Sequence, residues 1–155
     1  MIKKLLIIVI PLLLISAILI YTILKVNPFY LEDEYYEGNT FIEIDSYTFN
    51  ELESNDESFA IFICQQSCST SNEFEVLLTE FMEENNIIIY KMNFSEIENT
   101  SISDDLEYYP SVMLYKNGSL VTFLDAAKDS HIKYYENIDD FSIWFYKYVL
   151  EKKNS

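Results

Sequence analysis

The chain has 155 residues and a formal charge of −16 at pH 7. This length is enough for one ordinary domain with an anchor or tail, but not for two domains. Half of the residues are hydrophobic, which excludes wholesale disorder. The negative charge makes nucleic acid a poor partner, because such a surface repels phosphate. Either solubility or binding of a cationic partner, such as a basic peptide, explains this charge.

The N-terminal region is predicted to anchor the protein in the lipid bilayer. Residues 5–24 form an apolar run without a charge, and a helix of this length spans about 30 Å, the thickness of the hydrocarbon core. Lys3 and Lys4 precede the run and acids dominate the chain beyond it, so residues 1–4 are placed in the cytoplasm and the rest outside the cell. The alternative is a cleaved signal peptide, but its apolar region is usually shorter and ends at a small-x-small site.

The next segments are predicted as an acidic stalk at 25–39 and a folded domain at 40–155. The domain opens with a short strand at 41–44 and a short helix at 47–54. Asp45 precedes that helix and is a residue type that caps helix N-termini well.

Two continuous apolar runs, 59–64 and 87–92, carry the branched and aromatic side chains typical of buried strands. An amphipathic helix lies between them and ends near Asn85. Its apolar residues recur at spacings of three and four: Phe74, Leu77, Leu78, Phe81 and Met82.

Two more strands, 111–115 and 120–124, flank Asn117-Gly118, a pair typical of tight hairpins. A last helix begins after Asn137, with an apolar face formed by Phe141, Trp144, Phe145 and Tyr148. A buried parallel pair, a hairpin and helices on both faces predict a three-layer α/β domain with a mixed central sheet.

This order, with a cysteine after the central strand and a proline before the hairpin, resembles the thioredoxin fold over residues 40–151. FIEIDSYTFNEL resembles its opening strand and helix. YYPSVMLYKNGSLV resembles its cis-proline, strand, turn and strand, and IFICQQSCSTSNEF resembles the bacteriocin transport accessory proteins. The resemblance implies that Pro110 is a cis-proline in contact with the active cysteine, and that Tyr109 lines the substrate groove.

The active pair of the family is Cys-x-x-Cys at a helix N-terminus, whereas three residues separate Cys64 from Cys68 here. In one alignment, Cys68 is the nucleophile and Ser71 replaces the resolving cysteine. In the other, Cys64 is the nucleophile and Cys68 is its displaced partner. We favour the first, because the strand at 59–64 runs straight into Cys64. A mixed disulfide at Cys68 would then need Cys64 or an external thiol for release.

Two simpler explanations exist for the cysteines, a structural disulfide or a pair of inert thiols. A possible capping box at Thr70 and Glu73 would also start the helix later and leave Cys68 in a loop. No second histidine and no cysteine cluster accompanies His131, so neither a metal nor a cofactor is expected.

The predicted function is thiol-disulfide exchange by a membrane-anchored, extracytoplasmic thioredoxin-like protein acting on exported peptides or proteins. The alternative is a catalytically degenerate thioredoxin-like module that binds a partner, or an accessory protein for peptide export.

Overall fold

A computed structural model describes residues 26–152 of the chain. The predicted tail at 1–4 and the predicted membrane helix at 5–24 lie outside the described residues. Within residues 26–152, no helix has both the length and the apolar character needed to cross a bilayer.

A five-stranded mixed sheet in the order β1-β3-β2-β4-β5 forms the centre of the described structure. Its strands are β1 (Phe41–Glu43), β2 (Phe59–Cys64), β3 (Ile89–Asn93), β4 (Ser111–Lys116) and β5 (Ser119–Phe123). β3 is parallel to both β1 and β2, whereas β4 is antiparallel to both β2 and β5. Every residue of β2 is buried, which explains its continuous apolar sequence. The predicted mixed sheet is confirmed.

Five α-helices and three short 3-10 helices accompany the sheet in this part of the chain. The α-helices are α1 (Ser46–Ser54), α2 (Ser69–Asn85), α3 (Ile102–Asp105), α4 (Ile132–Glu136) and α5 (Ile138–Tyr146). The 3-10 helices are Asp33–Tyr36, Phe94–Asn99 and Asp129–His131.

Alternate residues of β2 face opposite helical layers, as the pleat of a strand requires. Phe62 packs against Phe74 of α2, with ring centroids 5.8 Å apart. Phe59 faces the other way and packs against Phe49 of α1 at 6.0 Å. The predicted three-layer arrangement, with helices on both sheet faces, is therefore confirmed.

Side-chain caps and left-handed residues set the ends of several elements. The carboxylate of Asp45 accepts a hydrogen bond from the Thr48 N–H at 2.9 Å, and the Asn137 side chain accepts one from the Asp140 N–H at 3.1 Å. Both are the predicted caps. Asn86 ends α2 with φ of 54°.

The hairpin between β4 and β5 turns at Asn117 and Gly118, whose φ angles are 48° and 70°. Positive φ at both positions suits a tight hairpin turn. A Cβ atom at Gly118 would also collide with the carbonyl oxygen of Glu53, so this turn requires glycine. The hairpin prediction is confirmed.

The prediction of an acidic stalk at 25–39 is wrong, because four apolar side chains of this segment lie in the core. Phe29, Leu31, Tyr35 and Tyr36 are all buried. Phe29 forms a bridge with Val149 near the C-terminus, and the Tyr36 hydroxyl donates to the Leu150 carbonyl at 2.8 Å. The acids of this segment are exposed, and Tyr30 is also 57% exposed, while Phe29, Tyr35 and Tyr36 face inward, so the domain begins well before residue 40.

Two other regions contain more helix than the sequence indicated. The stretch between β3 and β4, for which the sequence predicted no helix or strand, holds the 3-10 helix at 94–99 and α3, anchored by buried Ile97 and Ile102. α4, which precedes α5, was not predicted either. Both α3 and α4 are too short to show a helical period.

Candidate functional site: two cysteines and a tyrosine groove

Cys68 occupies the N-cap position of α2, with extended backbone angles and a half-buried side chain. Its N–H donates to the Gln65 carbonyl at 3.0 Å, which closes a turn after β2. Its carbonyl accepts the first helical hydrogen bond, from the Asn72 N–H at 3.1 Å. Thr70 lies inside the first turn and is not the cap, so Cys68 stands at the start of the helix rather than in a loop.

The start of α2 favours the thiolate form of Cys68. The backbone N–H of Ser71 lowers the pKa of the Cys68 thiol below its ordinary value. Burial is the second-largest effect and acts to raise this pKa, whereas the Ser71 hydroxyl and the N–H and hydroxyl of Thr70 lower it by smaller amounts. The unpaired N–H groups of a helix N-terminus generally stabilise a negative charge placed there. Cys68 therefore has the setting of a nucleophile.

Ser71 lies three residues further along α2, on the same side of the helix as Cys68. Its side chain is buried, and its hydroxyl accepts a hydrogen bond from the Gln65 N–H at 3.2 Å. Ser71 thus stabilises the turn at 65–68 as well as the thiolate. It has no sulfur, so it cannot resolve a mixed disulfide at Cys68.

Cys64 has the opposite environment at the end of β2. Only 2% of the residue is exposed, and burial raises the pKa of its thiol to about 11, although the charge of Lys91 partly opposes this. Both cysteines are free thiols, so the structure contains no disulfide between Cys64 and Cys68. Burial and a raised pKa make Cys64 a poor nucleophile near neutral pH.

Cys64 opens onto a polar cleft of about 400 Å³ at the carboxyl end of β1 and β3. Lys91 lines this cleft and lies 2.6 Å from the Glu75 carboxylate and 3.8 Å from that of Glu43. Burial acts to lower the pKa of Lys91, but the hydrogen bond and charge of Glu75 outweigh it and raise that pKa. The cleft therefore keeps a charged ammonium near the thiol.

Tyr109 and Pro110 form part of a separate groove of about 670 Å³. The Tyr109–Pro110 bond is cis, which confirms the prediction for the bond. Thr70 lines the groove as well, so the helix start that carries Cys68 forms one edge of it. Neither cysteine is among the residues that line the groove. The two thiols thus have different neighbourhoods: Cys68 lies two residues before Thr70, which lines this groove, whereas Cys64 lines the polar cleft.

Tyr135 of α4 is a groove residue that the sequence analysis missed. Its hydroxyl donates to the Pro110 carbonyl at 3.0 Å, and its ring packs on Phe74 at 4.6 Å. It therefore links the proline loop to α2. No sequence signal distinguishes it from the other tyrosines, since the chain has thirteen.

His131 has a structural role near this groove. Its Nδ1 accepts a hydrogen bond from the Asp125 N–H at 2.9 Å, and burial lowers its pKa, which favours the neutral form. Among residues 26–152, no group of three or more His, Cys, Asp or Glu residues is arranged to hold a metal ion.

The described structure resembles solved proteins of one architecture. It matches a mutant thioredoxin from Halobacterium salinarum NRC-1 with a TM-score of 0.52 and 11% identity, over 77% of this chain and 96% of that one. It matches thioredoxin f2 from Chlamydomonas reinhardtii with a TM-score of 0.52 and 16% identity, over 69% of this chain and 94% of that one. The chain has the thioredoxin fold.

A third protein with a thioredoxin fold matches with a TM-score of 0.51 and 16% identity, over 70% of this chain and 96% of that chain. No protein-family model matches the sequence, and no curated protein matches it. At these identities the likeness shows the thioredoxin fold alone. Any chemistry must be argued from the side chains of this chain.

Proposed function

We propose that this protein is a membrane-anchored, extracytoplasmic thioredoxin-like protein that performs thiol-disulfide exchange through Cys68 on exported peptides or proteins. The observation that carries the proposal is the position of Cys68 at the N-cap of α2, half-buried, with its thiol pKa lowered by the helix start. Such a thiol is the one that attacks a disulfide.

The first step is capture of a disulfide. The Cys68 thiolate attacks one sulfur of a substrate disulfide, the substrate S–S bond breaks, and a mixed disulfide forms at Cys68. The other substrate sulfur leaves as a thiolate and takes a proton from water. No electron enters or leaves the pair of molecules in this step.

The second step requires an external thiol. Ser71 has no sulfur, and Cys64 is buried with a pKa of about 11, so neither side chain is suited to attack the mixed disulfide. A small external thiol attacks the Cys68 sulfur and releases the substrate as a thiol. A second such thiol then regenerates Cys68, and the two external thiols leave as a disulfide. They supply the two electrons that reduce the substrate.

The location is part of the same proposal and is supported by the apolar run at 5–24 and its flanking charges. Since Phe29 already packs into the domain, only a few residues separate the predicted span from the folded core. Protease added to intact cells should remove the domain. A mature protein whose N-terminus lies beyond residue 24 would contradict the anchor.

The function is tested by incubating the full-length chain in detergent with a disulfide-bonded model peptide and detecting the mixed disulfide by mass spectrometry. The parent and Cys64→Ser should form the adduct at similar rates and release it with a small thiol, whereas Cys68→Ser should form none. If the parent forms no adduct, the exchange function is wrong. A thioredoxin-like binding module, or an accessory protein for peptide export of the bacteriocin type, then becomes the better hypothesis.

A further inference from the structure

The groove that Tyr109 and Pro110 line continues along the exposed side of α2 into a second depression of about 480 Å³. Glu73, Tyr135 and Glu136 line both parts and therefore join them. We call the combined surface the α2 groove. Its first part contains Thr70 and Pro110, and its second part ends at Glu80.

Apolar side chains in the α2 groove are unusually open to solvent. Val76 is 70% exposed, Tyr108 is 50% exposed and Ile132 is 47% exposed. Leu77 and Ile138, partly buried, add to the apolar lining of the second part. Contiguous exposed apolar surface edged by polar residues is typical of a site that binds another molecule.

The polar edge of this groove is acidic. Glu73, Glu80 and Glu136 line it and are exposed. Among the described residues, no lysine or histidine lines either part, and none of these three carboxylates forms an ion pair. An apolar surface with unpaired carboxylates along it is complementary to a ligand that is both apolar and positively charged.

We propose that the α2 groove binds a cationic amphipathic segment of the peptide substrate and thereby delivers the substrate disulfide to Cys68. The identity of this ligand as a substrate rests on the proposed exchange function. From Thr70 to Glu80, α2 rises about 15 Å, which matches about ten residues of helix or four to five residues of extended peptide. Substrates should therefore carry Lys or Arg with apolar residues within about ten residues of a cysteine.

The test measures binding without redox chemistry. The probe is a cysteine-free, ten-residue Lys/Leu amphipathic peptide with a fluorescent label, and its anisotropy is read with the full-length chain in non-ionic detergent at 0.1 M NaCl. Empty micelles provide the blank. The parent should bind this peptide and not a version with Glu at every Lys position. Raising the salt to 1 M should weaken binding, because the screening length falls from about 10 Å to about 3 Å.

The double variant Glu80→Lys/Glu136→Lys should weaken binding about tenfold, since it turns two attractive contacts into repulsive ones. Glu73 is kept, because it lies close to Cys68. The matched control is Glu98→Lys/Asp104→Lys, which makes the same charge change at exposed sites outside the groove. It should change the affinity less than about threefold. Equal weakening in both variants, or none in the groove variant, would overturn the proposal.

The variant Cys68→Ser separates this inference from the exchange function. It should bind the Lys/Leu peptide as tightly as the parent, although it forms no mixed disulfide. If the parent prefers the Lys/Leu peptide to its Glu version but performs no disulfide exchange, the groove proposal stands and the exchange function is wrong. If the parent performs disulfide exchange but binds both peptides equally, the exchange function stands and the groove proposal is wrong.

Discussion

Cys64 and Cys68 are four residues apart and have opposite chemical environments. Cys64 ends a fully buried strand, and burial raises the pKa of its thiol to about 11. Cys68 begins a helix, and backbone N–H groups lower the pKa of its thiol. The turn at 65–68 moves the chain from the core to the surface between them.

This contrast predicts that the reactivity of each cysteine depends on the secondary-structure element that carries it. Neither residue has a disulfide partner. The strand end removes water from one sulfur, whereas the helix start supplies the other with hydrogen-bond donors. In the proposed exchange, the absence of a second thiol at Ser71 limits Cys68 to capture, with release by an external thiol.

The largest expected effect comes from giving Cys68 a partner on the same helix. Ser71→Cys places a thiol three residues after Cys68, facing the same side. The variant should close an internal disulfide after capture and release reduced substrate without an added small thiol. The parent should remain as the mixed disulfide under the same conditions. Mass spectrometry of the products checks this, and an equally persistent adduct in the variant would show that position 71 cannot reach Cys68.

The same substitution at the two cysteines should change stability in opposite directions. Cys64→Ser puts a hydroxyl at a position that is only 2% exposed and should lower the free energy of unfolding by about 1–3 kcal/mol. Cys68→Ser puts a good capping residue at the start of α2 and should raise that free energy by up to about 1 kcal/mol. Urea unfolding followed by fluorescence of Trp144, the single tryptophan, measures both. A larger loss for Cys68→Ser would mean that Cys68 has a structural role.

The fold was largely predictable from the sequence because its signals are local. An apolar run predicted β2, the helical period of apolar residues predicted α2, and Asn117-Gly118 predicted the hairpin. The stalk prediction at 25–39 was wrong because the acids of this segment indicate only an exposed surface. The burial of Phe29 and Tyr35 depends on contacts with residues far along the chain. α4 was missed because five residues are too few for a period.

The candidate site was predictable in part. The cysteines, Ser71, Tyr109 and Pro110 all lie in motifs that the sequence shows. That Cys64 and Cys68 have different neighbourhoods could not be predicted, because it depends on the turn at 65–68. The role of Tyr135 depends on a contact with Pro110, 25 residues earlier in the chain.

A smaller effect is expected from Ser71→Ala. It keeps the backbone N–H that contributes most to the lowered pKa of Cys68 and removes only the hydroxyl. The midpoint of the pH profile of Cys68 alkylation should move upward, with a rate loss at pH 7 below about tenfold, equivalent to one hydrogen bond. Thr79→Ala, an exposed position further along α2, is the matched control and should leave the profile unchanged. An unchanged profile for Ser71→Ala would show that its hydroxyl does not act on the thiolate.

The account depends most on Cys68 being the reactive thiol and Cys64 the shielded one. The direct measurement is the rate of iodoacetamide alkylation against pH for the full-length single-cysteine variants Cys64→Ser and Cys68→Ser. Cys64→Ser should be alkylated at pH 7, with a midpoint below the ordinary thiol value of about 8.5. Cys68→Ser should be almost unreactive at pH 7, where a thiol of pKa about 11 is ionised in roughly one molecule in 10⁴. Its alkylation should appear only as the pH approaches 11. Alkylation of Cys68→Ser at pH 7 as fast as that of Cys64→Ser would contradict the account.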